Sequence, residues 1–420
     1  MVEEAQSQKS PTQTFTDKFE TVLVPSILVV VVVAAIGPPL LGWLSWQAAI
    51  LRALSTLVGA SPCALALATP SAVLAGIAQA ARNGVLIKGG VHLENLGMLS
   101  AIALDKTGTI TRGKPEVTNI IPAGGRSGED LLRVAAAVES RANHPLAQTV
   151  VRRAQKVKLE LPAAGDLENL QGRGVRSTVE GRIVRIGNLK LFEEAGISVP
   201  PDLKREVQSL GDSGKPIMVV GIDQEVAGVI ALADQLRDES RSALELLRAG
   251  GIRSIIMLTG DNERVARTIA KEAGVTEVRA NLLPEDKVTA IQELLKTYGM
   301  VAMVGDGVND APALANATVG IAMGAGGTDV ALETADVALM ADDLTRLPFA
   351  VALSRMSRRI IKQNLPISLG VIGLLVPSTL LGYASIGVAV LFHEGSTLFV
   401  VFNALRLLAF RGDKARVTNL

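Results

Sequence analysis

Asp105-Lys106-Thr107-Gly108-Thr109-Ile110-Thr111 carries the clearest chemistry in this sequence. It follows Ala101-Ile102-Ala103-Leu104, a short apolar run bounded like a buried strand. A carboxylate at the carboxyl end of such a strand stands where open α/β sheets place their ligand chemistry. The glycine and small hydroxyl residues after it permit a tight loop whose backbone N–H groups can face a phosphate. Two more apolar runs end in the same manner. Residues 254–258 lead into Thr259-Gly260-Asp261, and residues 300–304 into Gly305-Asp306-Gly307-Val308-Asn309-Asp310. One decoy is dismissed by a single residue: 108–114 has the spacing of a P-loop, but Pro115 stands where a Ser or Thr is required.

The elements that must position these residues are legible around them. Residues 319–323 and 337–340 read as further short buried strands, and 238–249, 262–273 and 285–297 carry helical patterns. Such alternation implies a parallel, doubly wound sheet. Asp105, Thr259 and Asp306 are then expected to meet at one carboxyl edge.

The stretch from Asp105 to Thr111 resembles the phosphorylation signature of the P-type ATPases, and the two later loops resemble that family's other motifs. The resemblance covers nearly the whole chain in the right order. It implies an α/β haloacid-dehalogenase-like phosphorylation domain (99–121 and 223–345), with an α+β nucleotide-binding domain (122–222) inserted in it. It further implies an ATP- and Mg²⁺-dependent enzyme passing through an aspartyl phosphate. Asp105 would attack the γ-phosphate in line, supported by Lys106. Thr259 would bind a phosphate oxygen beside Gly260 and Asp261. Mg²⁺, a hard ion that takes oxygen ligands, is expected on the Asp105 carboxylate, the Thr107 backbone carbonyl and Asp306, supported by Asn309 and Asp310. Lys287 resembles the family lysine that neutralises the transferring phosphoryl group, although alone it reads as an exposed helix lysine. Phosphatases of this superfamily carry a second aspartate where Thr107 stands, so water attack on the phosphoenzyme lacks local help. That favours a long-lived intermediate.

In the inserted segment, Glu139-Ser140-Arg141-Ala142-Asn143-His144-Pro145 precedes Gly172-Arg173-Gly174 and then Gly187-Asn188. Alone, a His-Pro pair is more often a capped helix start and Gly-x-Gly a turn. Together and in order they resemble the nucleotide-binding domain of the heavy-metal (type IB) subclass. The resemblance implies that Glu139, His144, Pro145, Gly172, Gly174, Gly187 and Asn188 line the adenine pocket. Between Trp46 and Phe349 the only aromatics are Phe192 and Tyr298, so a base-stacking platform is not on offer.

Composition points to lipid. The 42 basic and 41 acidic residues nearly cancel, which leaves no nucleic-acid footprint. With only 20% charged residues and a single cysteine, Cys63, neither a disulfide nor a Cys-x-x-Cys metal finger is available. Four apolar segments, about 22–44, 48–81, 367–383 and 386–410, are each long enough to span a bilayer. Basic residues crowd their outer ends: Arg82 and Lys88, then Arg355, Arg358, Arg359 and Lys362, then Arg406, Arg411, Lys414 and Arg416. By the positive-inside rule those ends are cytoplasmic, as is the insert of about 83–362 between the two helix pairs. The expected localisation is the plasma (inner) membrane.

Ser61-Pro62-Cys63 lies within the second span, where proline must break helix geometry. Alone the motif is equally a packing kink. His393-Glu394-Gly395-Ser396-Thr397 in the fourth span shifts the balance, because ionisable groups inside a membrane helix indicate function by default. The pair resembles the type IB subgroup with Ser-Pro-Cys and His-Glu-Gly-Gly-Thr motifs, associated with export of cobalt, iron, zinc or nickel; Ser396 replaces the second glycine. A transported ion is therefore expected at Ser61, Cys63, His393, Glu394 and Thr397. One thiol, one imidazole and one carboxylate suit a borderline divalent ion.

The expected organisation is a link and first membrane helix pair (1–98), the two cytoplasmic domains, and a second helix pair with a tail (346–420). Family pumps carry further helices and an actuator domain with Thr-Gly-Glu ahead of this region. No such tripeptide occurs here, so the chain reads as the carboxyl-terminal part of a pump that needs an amino-terminal actuator half. Two other classes stay open: a membrane-tethered phosphatase on the same fold, and an inactive metal-binding remnant.

Overall fold

The computed structural model describes residues 11–306, 309–324 and 333–412. Residues 1–10, Gly307, Val308, Lys414 and Arg416, which enter the sequence reading, lie outside the described residues. Helices α1 (Pro11–Leu40), α2 (Trp46–Gly59) and α3 (Cys63–Arg82) lead to β1 (Val85–Ile87), α4 (Gly90–Leu96) and β2 (Ala101–Asp105). Next come β3 (Thr111–Pro122), α5 (Gly128–Glu139), α6 (Pro145–Lys156), β4 (Glu168–Leu170), β5 (Gly174–Val179) and β6 (Arg182–Gly187). They are followed by α7 (Leu189–Glu194), α8 (Pro201–Asp212), β7 (Ile217–Ile222), β8 (Glu225–Leu236) and α9 (Ser240–Ala249). After these stand β9 (Ser254–Leu258), α10 (Glu263–Ala273), β10 (Glu277–Arg279), α11 (Pro284–Tyr298) and β11 (Val301–Gly305). The chain ends with α12 (Ala311–Asn316), β12 (Val319–Met323), β13 (Val337–Leu339), α13 (Arg346–Leu380) and α14 (Ile386–Leu405).

Two compact units divide the chain. The first comprises Met1–Ala103, Ser242–Ile255 and Pro284–Leu420. Its sheet runs β1-β13-β12-β11-β2, with β11, β12 and β13 parallel and β1 antiparallel at the edge. All five residues of β11 and of β12 are buried, as strands covered on both faces require. The antiparallel β1 is a departure from the all-parallel expectation. It follows α3 directly, so the membrane helix returns its chain straight onto the sheet edge.

The same unit holds four candidate membrane spans, Thr12–Leu40, Trp46–Arg82, Arg346–Leu380 and Ile386–Ala409. From residue 22 onward α1 is apolar on every face, and its most apolar window is 0% buried, which suits a helix surrounded by lipid. The second span is two helices rather than one. α2 ends at Gly59, α3 starts at Cys63, and Pro62 has no N–H to extend the ladder between them. α13 begins well before its apolar half and continues unbroken for 35 residues.

The second unit comprises Leu104–Arg241 and Ile256–Leu283. In it β2, β9 and β10 are successive sheet neighbours, β9 and β10 parallel. An antiparallel sheet of six strands, β3-β8-β7-β6-β5-β4, makes up its larger part. Alternation along those strands builds two cores. Val184, Ile186 and Val220 pack with Leu131, Val138 and Val150 of α5 and α6 on one face, while Val219 and Val229 pack with Phe192 and Leu203 on the other.

Candidate functional site

The loop after β2 is fixed by the residues that receive its carbonyls. Asp105 closes β2 and is buried, whereas Thr107 is exposed and Gly108 turns at φ +75°. The Arg237 guanidinium donates to the Gly108 carbonyl at 2.7 Å and to the Thr111 carbonyl at 3.1 Å. The Ile110 carbonyl accepts from the Arg237 N–H and from the Ser240 hydroxyl. Thr111 closes the turn with its hydroxyl donated to the Lys106 carbonyl and to Asp234. With four carbonyls committed to this scaffold, the loop backbone has little freedom left.

Lys106 reaches Asp261, Nζ to Oδ2, at 2.6 Å. Thr259 Oγ1 accepts from the Asp261 N–H, and the carbonyls of Thr259 and Asp261 accept from Leu282 and Asn281. Asn262 then caps α10 by accepting from the Val265 N–H. The Thr259-Gly260-Asp261 turn is thus pinned on both flanks, Gly260 remaining exposed.

In the other unit, Lys287 and Asp310 form a buried pair at 2.6 Å, with side chains 10% and 1% exposed. Lys287, expected as the family lysine that neutralises the transferring phosphoryl group, is not the exposed helix lysine that the residue alone suggests. Lys287 sits in the first turn of α11 on the face that carries Ile291 into the core. Asp310 Oδ2 is buried with no hydrogen-bond partner among the described residues. A Cβ on Gly305 would lie 2.5 Å from that oxygen, so the glycine is what admits the carboxylate to the strand end. Burial pushes the Asp310 carboxyl above its ordinary value, against the opposing pull of Lys287, and the charge of Asp306 adds to the upward push. Asp306 ends the same strand and Asn309 is exposed.

The proposed nucleotide residues all lie around α5, α6, β5 and β6. Glu139, the last residue of α5, is buried, and that burial pushes its carboxyl up to about 7. His144 caps α6, its Nδ1 accepting the Leu146 N–H at 3.2 Å, and Pro145 follows at the first helical position. Gly174 and Gly187 pair across β5 and β6 so closely that a Cβ on either would meet a carbonyl oxygen within 2.1 Å. Asn188 binds the same turn, donating to the Gly172 carbonyl and accepting from the Leu191 N–H. Val138 beside Glu139 and Ile186 beside Gly187 share one core.

In the membrane part, Ser61, Pro62, Cys63, His393 and Glu394 line one cavity of about 420 Å³, walled by Val24, Leu28 and Leu57. Ser61 Oγ lies 3.1 Å from Cys63 Sγ. His393 is buried, whereas the Glu394 side chain is 64% exposed. Thr397, one turn after His393, donates back to its carbonyl at 3.2 Å. Among the described residues, no three His, Cys, Asp or Glu side chains cluster in a way that could hold a metal ion.

A family model of haloacid dehalogenase-like hydrolases matches residues 99–318. The crystal structure of a zinc-transporting PIB-type ATPase in its E2.Pi state is similar to this chain with a TM-score of 0.85 and 44% identity, over 97% of this chain and 66% of that one. The chain belongs to the heavy-metal P-type ATPases. A probable cadmium-transporting ATPase of Alkalihalophilus pseudofirmus is 43% identical over 97% of this chain and 57% of its own length. The zinc/cadmium/lead-transporting P-type ATPase of Escherichia coli is 45% identical over 98% of this chain and 55% of its own. The chain thus spans just over half the length of these relatives.

Membership of the heavy-metal P-type ATPases accounts for the haloacid-dehalogenase-like fold, the inserted nucleotide-binding unit and the four apolar helices. Arg237, Ser240 and Asp234 escaped the sequence reading. They lie more than a hundred residues from the loop they hold, and no local pattern joins them. The available signal was the Asp234-x-x-Arg237-Asp238 cluster closing an otherwise apolar strand.

Proposed function

We propose that this chain is the catalytic and partial membrane portion of an ATP-driven exporter of divalent heavy-metal ions, working through a phosphoryl group on Asp105. The observation that carries the reading is the Arg237-held loop after β2, with Lys106 joined to Asp261 of the Thr-Gly-Asp turn. Phosphoryl transfer depends on positioning and charge neutralisation, and a loop fixed through its carbonyls supplies the first. Asp105 attacks in line, Thr259 binds a phosphate oxygen, and Lys287 moves from Asp310 onto the transferring group.

The chain fits Mg²⁺. Its hard oxygen donors would be Asp105, the Thr107 carbonyl and Asp306, supported by Asn309 and Asp310, whose Oδ2 is already desolvated and without a donor. Bound there, the ion would supply positive charge against the phosphoryl oxygens. Glu139, His144, Pro145, Gly172, Gly174, Gly187 and Asn188 would hold the adenine of ATP.

The domain division we propose is 1–98, 99–121 with 223–345, 122–222 and 346–420, with the middle part cytoplasmic and the helices in the plasma membrane. The ion is proposed to bind Ser61, Cys63, His393, Glu394 and Thr397. The named relatives add cadmium and lead to the cobalt, iron, zinc and nickel considered from sequence. Thr107 offers no base for hydrolysis, so turnover is assigned to a separate actuator segment.

The test is phosphorylation of the 420-residue chain in lipid by labelled ATP and Mg²⁺. The expected product is acid-stable, sensitive to hydroxylamine and lost in Asp105→Asn, with steady hydrolysis near background. Label that persists in Asp105→Asn would overturn the assignment.

A further inference from the structure

Away from the cavity and the strand ends, Asn364, midway along α13, is a buried polar group bonded to two other helices. It is 0% exposed. Its Nδ2 donates to the Ala68 carbonyl of α3 at 3.4 Å and to the Val400 carbonyl of α14 at 3.3 Å. Its Oδ1 accepts from Asn403 Nδ2 at 2.8 Å, and Asn403 Oδ1 accepts from Arg406 at 2.8 Å. Small side chains make room for this contact. Ala64, Ala68 and Val400 pack together there, with Leu365 against them.

The two carbonyls belong to the two helices that carry the ion cavity. Ala68 is five residues along α3 from Cys63, and Val400 is seven along α14 from His393. At about 1.5 Å per residue, the clamp sits roughly 8 and 10 Å from those two donors. Neither helix has a break in that interval except the proline at position 70, beyond Ala68. A buried amide that binds both backbones therefore fixes how far Cys63 and His393 stand apart along the helix axes.

We propose that Asn364, held by Asn403, is a positioning residue that sets the register of Cys63 against His393 and so the geometry of the transported-ion site. The inference rests on the proposed ion site and assigns Asn364 no direct bond to the ion. Its amide is already committed to two carbonyls and its oxygen to Asn403. Buried interhelical hydrogen bonds in lipid are modest in stability, so the main consequence falls on ion geometry. Outer partners of metal ligands commonly change affinity by about 10–100-fold when removed.

The test uses the full chain in lipid nanodiscs with Co²⁺ as probe, read by thiolate-to-cobalt absorption and by equilibrium binding. The unmodified chain is expected to give a band that disappears in Cys63→Ala. Asn364→Ala should weaken Co²⁺ binding by about tenfold or more and displace the band. Asn403→Ala should weaken it less, and the double variant should add nothing to Asn364→Ala. Thr56→Val is the structural control. It removes a buried bond of similar kind, Thr56 to Thr379 at 3.0 Å, between α2 and α13. It should lower thermal stability and leave the band in place. A Cys63-dependent band unmoved in Asn364→Ala, or moved equally in Thr56→Val, overturns the clamp alone. No Cys63-dependent band in the unmodified chain removes the ion site and the clamp with it.

Discussion

The phosphorylation loop and the membrane break treat backbone in opposite ways. At residues 106–111 four carbonyls are received by Arg237, Ser240 and Thr111, and the adjacent lysine is paired with Asp261. At residues 60–62 the chain leaves the helix with the Ala60 and Ser61 N–H groups bonded back to Thr56 and Val58, and a proline in place of the next donor. One region is held through many partners, the other through few. The difference teaches what each has to do. The proposed in-line attack would tolerate little misplacement, whereas an ion, if bound as proposed, would have to enter and leave the cavity, which a segment with few bonded partners suits.

If tight pairing is what defines the catalytic side, removing the most buried pair should have the largest effect. Lys287→Met leaves the Asp310 carboxylate buried without its cation and is expected to destabilise the chain by about 3 kcal/mol. Lys106→Met, at an equal 2.6 Å separation but with the Asp261 side chain 32% exposed, should cost below about 1 kcal/mol. Thermal unfolding of both variants checks the contrast, and equal losses would show that distance rather than burial decides.

Glu139 sharpens the comparison from the other side, being a buried carboxyl outside the apolar helices whose pKa is raised by burial. Its folded value of about 7 lies above the ordinary 4.5, so its neutral form is favoured by folding. That contribution is complete below pH 4.5 and is lost as pH rises through 7. Glu139→Gln, neutral throughout, should match the parent in acid and exceed it by roughly 3 kcal/mol above pH 7. A pH-independent difference between the two would contradict the assignment.

A third contrast lies in the break between α2 and α3 itself. Pro62→Ala returns an N–H toward the Val58 carbonyl and favours a continuous helix from α2 into α3. Co²⁺ binding is expected to weaken by about tenfold, or 1.4 kcal/mol, with phosphorylation by ATP unchanged. Unaltered Co²⁺ affinity would show that the opened backbone has no part in the ion site.

Local features were readable from sequence, and remote ones were not. Asp105 at a strand end and the helix break at Pro62 follow from apolar runs, turn residues and a missing donor, all within a few positions. The pairing of Lys287 with Asp310 was not legible because the pattern of one amphipathic helix does not reveal that a carboxylate 23 residues later fills the space beside it. His393 and Glu394 were both expected at the ion site; consecutive residues on a helix point about 100° apart, and of the two only His393 is buried. Arg237 and Asn364 were missed for a common reason. Their meaning lies in whose carbonyls they receive, which only the folded chain displays.

The unbroken course of α13 has a mechanical consequence. Thirty-five helical residues measure roughly 50 Å, and the helix begins seven residues after β13, the strand that pairs with β12. A rod of that length resists twisting, so a small rotation at its Arg346 end reappears at Asn364 with its angle nearly preserved. What arrives in the membrane is then a turn of a shaft rather than a displaced ligand. Such a turn would reach α3 and α14 through the faces packed on α13, the Asn364 amide among them.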